Sequence, residues 1–191
     1  MTKDEFLLRF TLFPLVESDH NYQHATTLSP AAVLIALIEP EKGAELQVLF
    51  TKRASHLKHH PSQISFPGGK IEPQDKSLID TAFREAFEEI GLSRERISVV
   101  GQLPPYQTIS GFNVTPIIAI VSKSPSYQMD KSEVTEIFHV PLQYFLTTHG
   151  HHISVTRKNG KQYKVHFLPY KHYNIWGTTA VMLKDLIAHI T

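Results

Sequence analysis

The 191-residue sequence contains no cysteine, so disulfides and thiolate nucleophiles are excluded, and any bound metal must rely on oxygen or imidazole donors. Long apolar runs are missing as well. No segment approaches the roughly 18 to 20 apolar residues that a membrane span requires, and the opening MTKDEFLLRF lacks the uninterrupted apolar core and small-residue cleavage site of a signal peptide. These absences predict a cytoplasmic protein with no membrane partner. Nor is there an excess of charge: 19 basic against 18 acidic residues leave a net charge of +1, which excludes a nucleic-acid binder built on a broad basic surface. Internal repeats, linkers and low-complexity runs are also lacking. One domain with a full core is therefore expected over residues 1–191.

What is present follows a mixed order. Phe6, Phe10 and Phe13 recur at helical spacing before Pro14, with Leu7 beside them, and predict a short N-terminal helix; a polar loop to residue 30 follows. The β-branched runs 31–39 and 46–53 read as strands joined by a turn containing Pro40 and Gly43. Further strands are expected at 97–103, 114–122 and 133–141, with Pro116 placing that end of its strand at an edge or bulge. Over 153–168 two strand-like runs flank Asn159-Gly160, a strong hairpin signal, and Val181, Met182, Leu186 and Ile190 mark a closing helix over 178–190. Hairpins interspersed with isolated helices predict an α+β fold, a mixed sheet covered by helices on two sides. The parts are an N-terminal helix and loop (1–30), a core (31–145), and a C-terminal hairpin and helix (146–191).

The chemistry concentrates in residues 66–92, FPGGKIEPQDKSLIDTAFREAFEEIGL. A Pro-Gly-Gly turn leads through polar residues into a helix that ends at Gly91, a residue suited to a left-handed C-cap. At about 100° per residue, Glu85, Glu88 and Glu89 share an arc of roughly 100°, with Ile79, Phe83, Ala86, Phe87 and Ile90 opposite. Like charges at this spacing cost a helix about 0.2 to 0.5 kcal/mol per pair, and no lysine is interleaved among them to offset it. A divalent cation would. Oxygen donors favour Mg²⁺ or Mn²⁺, held through carboxylates with positions left for water and substrate phosphates. Lys52 and Arg53 end the preceding strand and bring positive charge towards the site, and Glu133 and Glu136 form a second acidic supply. The twelve histidines group as His56, His59, His60 and His149, His151, His152; neither group has the helical pair flanking a glutamate of a zinc protease, so they read as solvated loop residues.

At these residues the sequence resembles the Nudix hydrolases. Their box reads Gly, five residues, Glu, seven residues, then Arg-Glu-apolar-x-Glu-Glu-x-Gly-apolar, and Arg84 to Leu92 match its second half as REAFEEIGL. The first half departs. Asp75 follows Gly69 after five residues where the box has Glu, and eight residues rather than seven then lead to Arg84, leaving the roles of Asp75 and Glu72 open. Residues 49–69 resemble the motif of coenzyme A pyrophosphatases, Leu-Leu-Thr-x-Arg-Ser/Ala, three residues, Arg, three residues, Gly, three residues, Phe-Pro-Gly-Gly. Thr51, Arg53, Ala54, Phe66, Pro67, Gly68 and Gly69 agree with it, whereas Phe50, Lys58 and Ser62 do not. The longer box loop and IWGTTA at 175–180 are in keeping with that subgroup.

The resemblance implies a Nudix-type α/β/α sandwich with its box at 69–92, and a metal-dependent hydrolase of a small nucleotide substrate of the coenzyme A type. Its products would be 4′-phosphopantetheine and adenosine 3′,5′-bisphosphate. Carried over, Glu85, Glu89 and Glu88 are the Mg²⁺ or Mn²⁺ ligands and Arg84 orients a glutamate. Gly68 and Gly69 let the backbone approach metal and phosphates. Arg53 and Lys58 are phosphate contacts or surface charge, and Glu133 is a base, a metal ligand or an exposed strand-end charge. Alternative readings are a Nudix enzyme for ADP-ribose, nucleotide sugars or dinucleotides, and a nucleotide-sensing module without catalysis.

Overall fold

The two strongest apolar runs lie side by side as parallel strands at the centre of the molecule. In a computed structural model, described for residues 1–15, 18, 27–122, 126–148, 150–158 and 161–191, β1 (Ser29–Glu39) pairs with β7 (Phe112–Ser122) along its whole length. Around them run β2 (Gln47–Arg53), β3 (Ile64–Ser65), β4 (Gly68–Lys70), β5 (Ile97–Gln102), β6 (Tyr106–Gln107) and β8 (Val134–Pro141), all antiparallel to their neighbours. The main path is β3-β2-β1-β7-β5, with β4 on β1, β6 on β7 and β8 on β2. A second sheet, β11-β10-β9, is formed by β9 (His152–Lys158), β10 (Lys161–Tyr170) and β11 (Tyr173–Trp176). Helices α1 (Lys3–Leu12), α2 (Leu78–Ile90), α3 (Leu142–Thr147) and α4 (Thr178–His189), with a 3₁₀ turn over Arg94–Arg96, complete the described elements.

Alternation along β1 divides the core. Ala32, Leu34, Ala36 and Ile38 face α2 together with Ile117, Ala119 and Val121 of β7. Ile35 and Leu37 face the other way, into a cluster that includes Phe6 of α1 and Val181, Met182 and Leu186 of α4. Both faces of the central strands are thus buried, which is why they read as continuous apolar runs rather than as half-polar ones. The alanines on the α2 side, matched by Ala82 and Ala86 on the helix, leave room for a close approach. Helices therefore cover a mixed sheet on two sides, as expected from the order of elements.

Four expectations need correction. Pro116 lies in a central strand, not at an edge: its carbonyl accepts from Leu103 N at 3.0 Å, and its missing N–H falls in the gap where the chain leaves β5 before β6, so no ladder bond is lost. Gly68 and Gly69 form no turn; they are extended in β4, paired with Val33 and Ala32. Phe87 is 60% exposed and Glu89 only 3%. The core arc of α2 spans about 60° either side of Ala86, which takes in Glu89 but leaves Phe87, about 100° round, in solvent. Phe13 follows α1 as its C-cap and is exposed, whereas Phe6 is fully buried and Phe10 sets its ring against His189 at 4.6 Å.

The hairpin signal at Asn159-Gly160 lies outside the described residues, as do His149 and much of the 18–30 loop; the flanking Lys158 and Lys161 are cross-strand partners in β9 and β10. No helix among the described residues is long and apolar enough to cross a membrane.

Candidate active site

Helix α2 is defined at both ends by its sequence. The Ser77 hydroxyl accepts from Asp80 N at 3.1 Å, a cap worth about 1 kcal/mol, and Gly91 ends the helix in the left-handed region at φ 68°. Between these caps the helix offers four charged side chains to the β4 edge of the sheet.

Arg84 is the hub. Its Nε donates to Asp75 Oδ1 at 3.1 Å, one terminal nitrogen donates to Glu85 at 3.0 Å and Glu88 at 2.8 Å, and the other reaches Asp75 at 3.1 Å and the Lys70 carbonyl at 2.9 Å. Asp75 also accepts from the Thr81 hydroxyl and the Glu72 backbone N–H, each at 2.9 Å. The Arg84 guanidinium holds the Asp75 carboxyl down at about 2, with these two donors assisting. Asp75 is therefore an anchor for Arg84, and it fixes the box loop over residues 72–75. Glu72 is half exposed and lies 3.9 Å from Arg84.

Glu89 stands apart from the other carboxylates in burial. It is 3% exposed, one of its oxygens, Oε2, has no hydrogen-bond partner, and Arg53 approaches the other at 3.9 Å. Burial pushes its carboxyl up to about 8; the Arg53 charge and the Gly68 backbone N–H oppose the rise, and Glu85 and Glu133 add to it. Glu85 is raised by burial too, with Arg84 opposing. Glu133 is half-buried where the chain enters β8, and its field reaches both Glu85 and Glu89. Glu136 belongs elsewhere, bound by the Tyr173 hydroxyl and 3.9 Å from Lys52.

The glycines are required by space. A Cβ on Gly69 would overlap the Glu85 carboxylate, and one on Gly68 would run into the Ala32 carbonyl and lie 2.7 Å from Val33 Cγ1. The structure thus brings together Arg53, Gly68, Gly69, Arg84, Glu85, Glu88, Glu89 and Glu133. Lys58 does not join them; it is exposed on the loop between β2 and β3 and makes no ion pair with a described residue. His56 and His59 share its exposure, and His60 bonds Gln63 at 2.8 Å. His151 and His166 lie ring to ring, 3.0 Å apart at their nitrogens.

The donor set suits a hard divalent cation, since it is all carboxylate oxygen and one buried oxygen lacks any partner. Among the described residues no three acid or imidazole groups converge closely enough to share an ion in this conformation.

Beside this cluster, across β4, lies a pocket of about 480 Å³ between β1, the loop following β6, the second sheet and the start of α4. Sequence reasoning missed it, because its walls come from segments far apart in the chain. One signal pointed there: four residues of IWGTTA, 176–179, line it.

The comparisons with known proteins agree with this geometry. A family model described as the NUDIX domain matches residues 28–162. The chain is 37% identical over 191 residues to a protein of Enterobacter sp. (strain 638) described as the uncharacterized Nudix hydrolase NudL, covering all of this chain and 95% of that one. A protein of the same description from Cronobacter sakazakii (strain ATCC BAA-894) is 35% identical over 192 residues, with the same coverage. Of solved structures, the MutT protein from Methanosarcina mazei Go1 superposes with a TM-score of 0.50 at 23% identity, over 66% of this chain and 86% of that one. A Nudix hydrolase from M. Smegmatis, RenU, gives 0.51 at 21% identity over 68% and 80%. At such identities the solved structures speak for the fold alone. The family match over most of the chain, and relatives aligned along all of it, establish that this chain belongs to the Nudix hydrolase family.

Proposed function

We propose that the chain, acting as one Nudix domain, hydrolyses the diphosphate of coenzyme A or its thioesters with Mg²⁺ or Mn²⁺ as cofactor. The observation that carries the reaction class is the buried, unpartnered oxygen of Glu89 next to Glu85 and the Gly68-Gly69 strand. Glu85, Glu89 and Glu88 would hold the ion. A divalent ion, when bound, supplies positive charge against the diphosphate and acidifies water. Arg84, tied back to Asp75, keeps Glu85 and Glu88 turned towards each other, and Arg53 balances the Glu89 charge at the end of β2. Gly68 and Gly69 keep that wall free of side chains, so a phosphate can approach the backbone. Glu133, whose charge reaches Glu85 and Glu89, would accept a proton from the attacking water.

In the reaction the water oxygen bonds to one phosphorus and the bridging P–O bond breaks. The leaving phosphate takes the bonding pair, a proton of the water is released, and two phosphate monoesters are left where the diphosphate was, on 4′-phosphopantetheine and on adenosine 3′,5′-bisphosphate.

The coenzyme A reading draws support from the 49–69 motif and from one of its departures. Ser62 replaces the motif glycine, yet it keeps φ at 59°, a conformation that favours glycine. A glycine would adopt this conformation without strain. Lys58, in place of the motif arginine, keeps the charge but loses the planar fork. A substrate panel with Mn²⁺ and product identification tests the reading. Coenzyme A should be cleaved in preference to ADP-ribose, nucleotide sugars and dinucleotides; consumption of any of these with coenzyme A left intact overturns it.

A further inference from the structure

We infer that the 480 Å³ pocket beside β4 is the seat of the pantetheine arm of the substrate, and that its residues, rather than the carboxylate cluster, set specificity. This rests on the coenzyme A reading above.

The first argument is position. Val33 lines the pocket and is the cross-strand partner of Gly68, whose neighbour Gly69 lies against the Glu85 carboxylate. One strand, β4, therefore separates the pocket from the reacting site, and a ligand whose diphosphate lies at the glycines has its non-reacting arm within reach of the pocket.

The second argument is chemistry. No carboxylate is among the described residues that line it. Aliphatic side chains such as Val114, Val165 and Met182 alternate with neutral hydroxyls such as Thr108, Thr178 and Thr179. Pantetheine carries two amides, a geminal dimethyl group and methylenes, and so needs neutral donors and acceptors set into an aliphatic wall. A 3′-phosphate would be better served by a cluster of guanidiniums, whereas no arginine is among the described lining residues and Lys164 is the one lysine there.

The third is rigidity. The loop over 107–111 is pinned by Tyr106, whose hydroxyl donates to the buried Asp185 of α4 at 2.7 Å, and it is closed by Gly111 N to the Thr108 carbonyl at 3.0 Å. The Thr179 hydroxyl ties α4 to the Ile64 carbonyl of β3 at 3.3 Å. Opposite walls are thus fixed before a ligand arrives, which lowers the ordering cost of binding.

The test uses competition by the two halves of the substrate in the intact protein. Pantetheine, which has no diphosphate, should inhibit coenzyme A hydrolysis competitively. Ile109→Trp, at an exposed position of the pocket rim, narrows the pocket without touching the core. It should weaken pantetheine inhibition about tenfold or more, leave inhibition by adenosine 3′,5′-bisphosphate within about twofold, and raise KM for coenzyme A by more than it lowers kcat. Trp176→Ala, which removes part of the wall at another exposed position, should do the same. Coenzyme A hydrolysis with pantetheine inhibition unmoved by both variants, or with the bisphosphate inhibition moved instead, overturns the pocket assignment alone. Failure to cleave coenzyme A while ADP-ribose is consumed overturns the substrate reading and the assignment together.

Discussion

Arg53 and Glu89 form a charge pair across two elements, the end of β2 and the last turn of α2, at 3.9 Å, a distance too long for a hydrogen bond, while the second Glu89 oxygen meets nothing. A buried carboxylate held so loosely is a cost to the fold. Glu89→Gln removes the ionised form and keeps the shape. It should lower kcat by about 100-fold or more while leaving the thermal midpoint unchanged or raised, and it should abolish the upward shift of that midpoint by Mn²⁺. Thermal melts with and without metal, set beside kcat, check all three; full activity in the variant would sink the ligand assignment.

The same carboxyl makes stability depend on pH. Its folded value is raised to about 8 from the usual 4.5, so the folded chain holds a proton that the unfolded chain has released. Between those limits each rise in pH favours the unfolded state. Metal-free protein should therefore lose stability from this group as pH climbs from about 4.5 to about 8, and the stabilisation conferred by Mg²⁺ should grow over the same window. A pH series of denaturant melts at fixed metal checks the sign. In Glu89→Gln this contribution should vanish.

Asp75 titrates with the opposite sense. Its carboxyl is held at about 2, below its usual 3.8, chiefly by Arg84, so its stabilising contribution is complete above about 3.8 and is lost as pH falls towards 2. Asp75→Asn should cost about 1 to 3 kcal/mol at neutral pH, because Arg84 loses its charged anchor. Activity should fall with it. Freed from Asp75, Arg84 can follow Glu85 and Glu88 into other rotamers, and kcat should drop more than KM rises.

Ser62 stands where the resembled motif has glycine, and its backbone lies in the left-handed region. At φ 59° an L residue carries a strain of roughly 1 kcal/mol that glycine would not. Ser62→Gly should stabilise the protein by up to about 1 kcal/mol in urea melts, the gain being reduced by the extra freedom glycine gives the unfolded chain. A clear destabilisation would mean that the loop between β2 and β3 adopts a different path in solution.

Local signals carried the fold far. Gly91 announced the end of α2, and the β-branched runs at 31–39 and 114–122 became the central pair. What stayed hidden depended on tertiary neighbours. Pro116 reads as an edge residue until the gap between β5 and β6 is seen to face its missing N–H. Glu89 lies just inside the covered arc of α2 and Phe87 outside it, and only the packing of the helix on the sheet shows where that arc ends. The register Arg84, Glu85, Glu88, Glu89 could be read from spacing, but not that Asp75 anchors the first of these. The pocket was out of reach, because Val33, Thr108, Val165 and Thr179 lie in four different elements or loops.

Gly68 and Gly69 are adjacent and both lack room for a side chain, yet their obstacles differ in kind. At Gly68 the obstacle is backbone, the Ala32 carbonyl and the Val33 Cα at 2.7 Å, which no rotamer change can clear. Gly68→Ala must push β4 away from β1, and should cost about 1 to 3 kcal/mol of stability. At Gly69 the obstacle is the carboxylate end of Glu85, which can swing aside. Gly69→Ala should therefore change stability by no more than about 1 kcal/mol but, on the ion-ligand role proposed for Glu85, lower kcat by about tenfold to a hundredfold, since displacement of a reacting group by about 1 Å has effects of that order. Urea melts and steady-state kinetics on the two variants separate a structural glycine from a functional one. Equal losses of stability in both would show that Glu85 is held too firmly to yield.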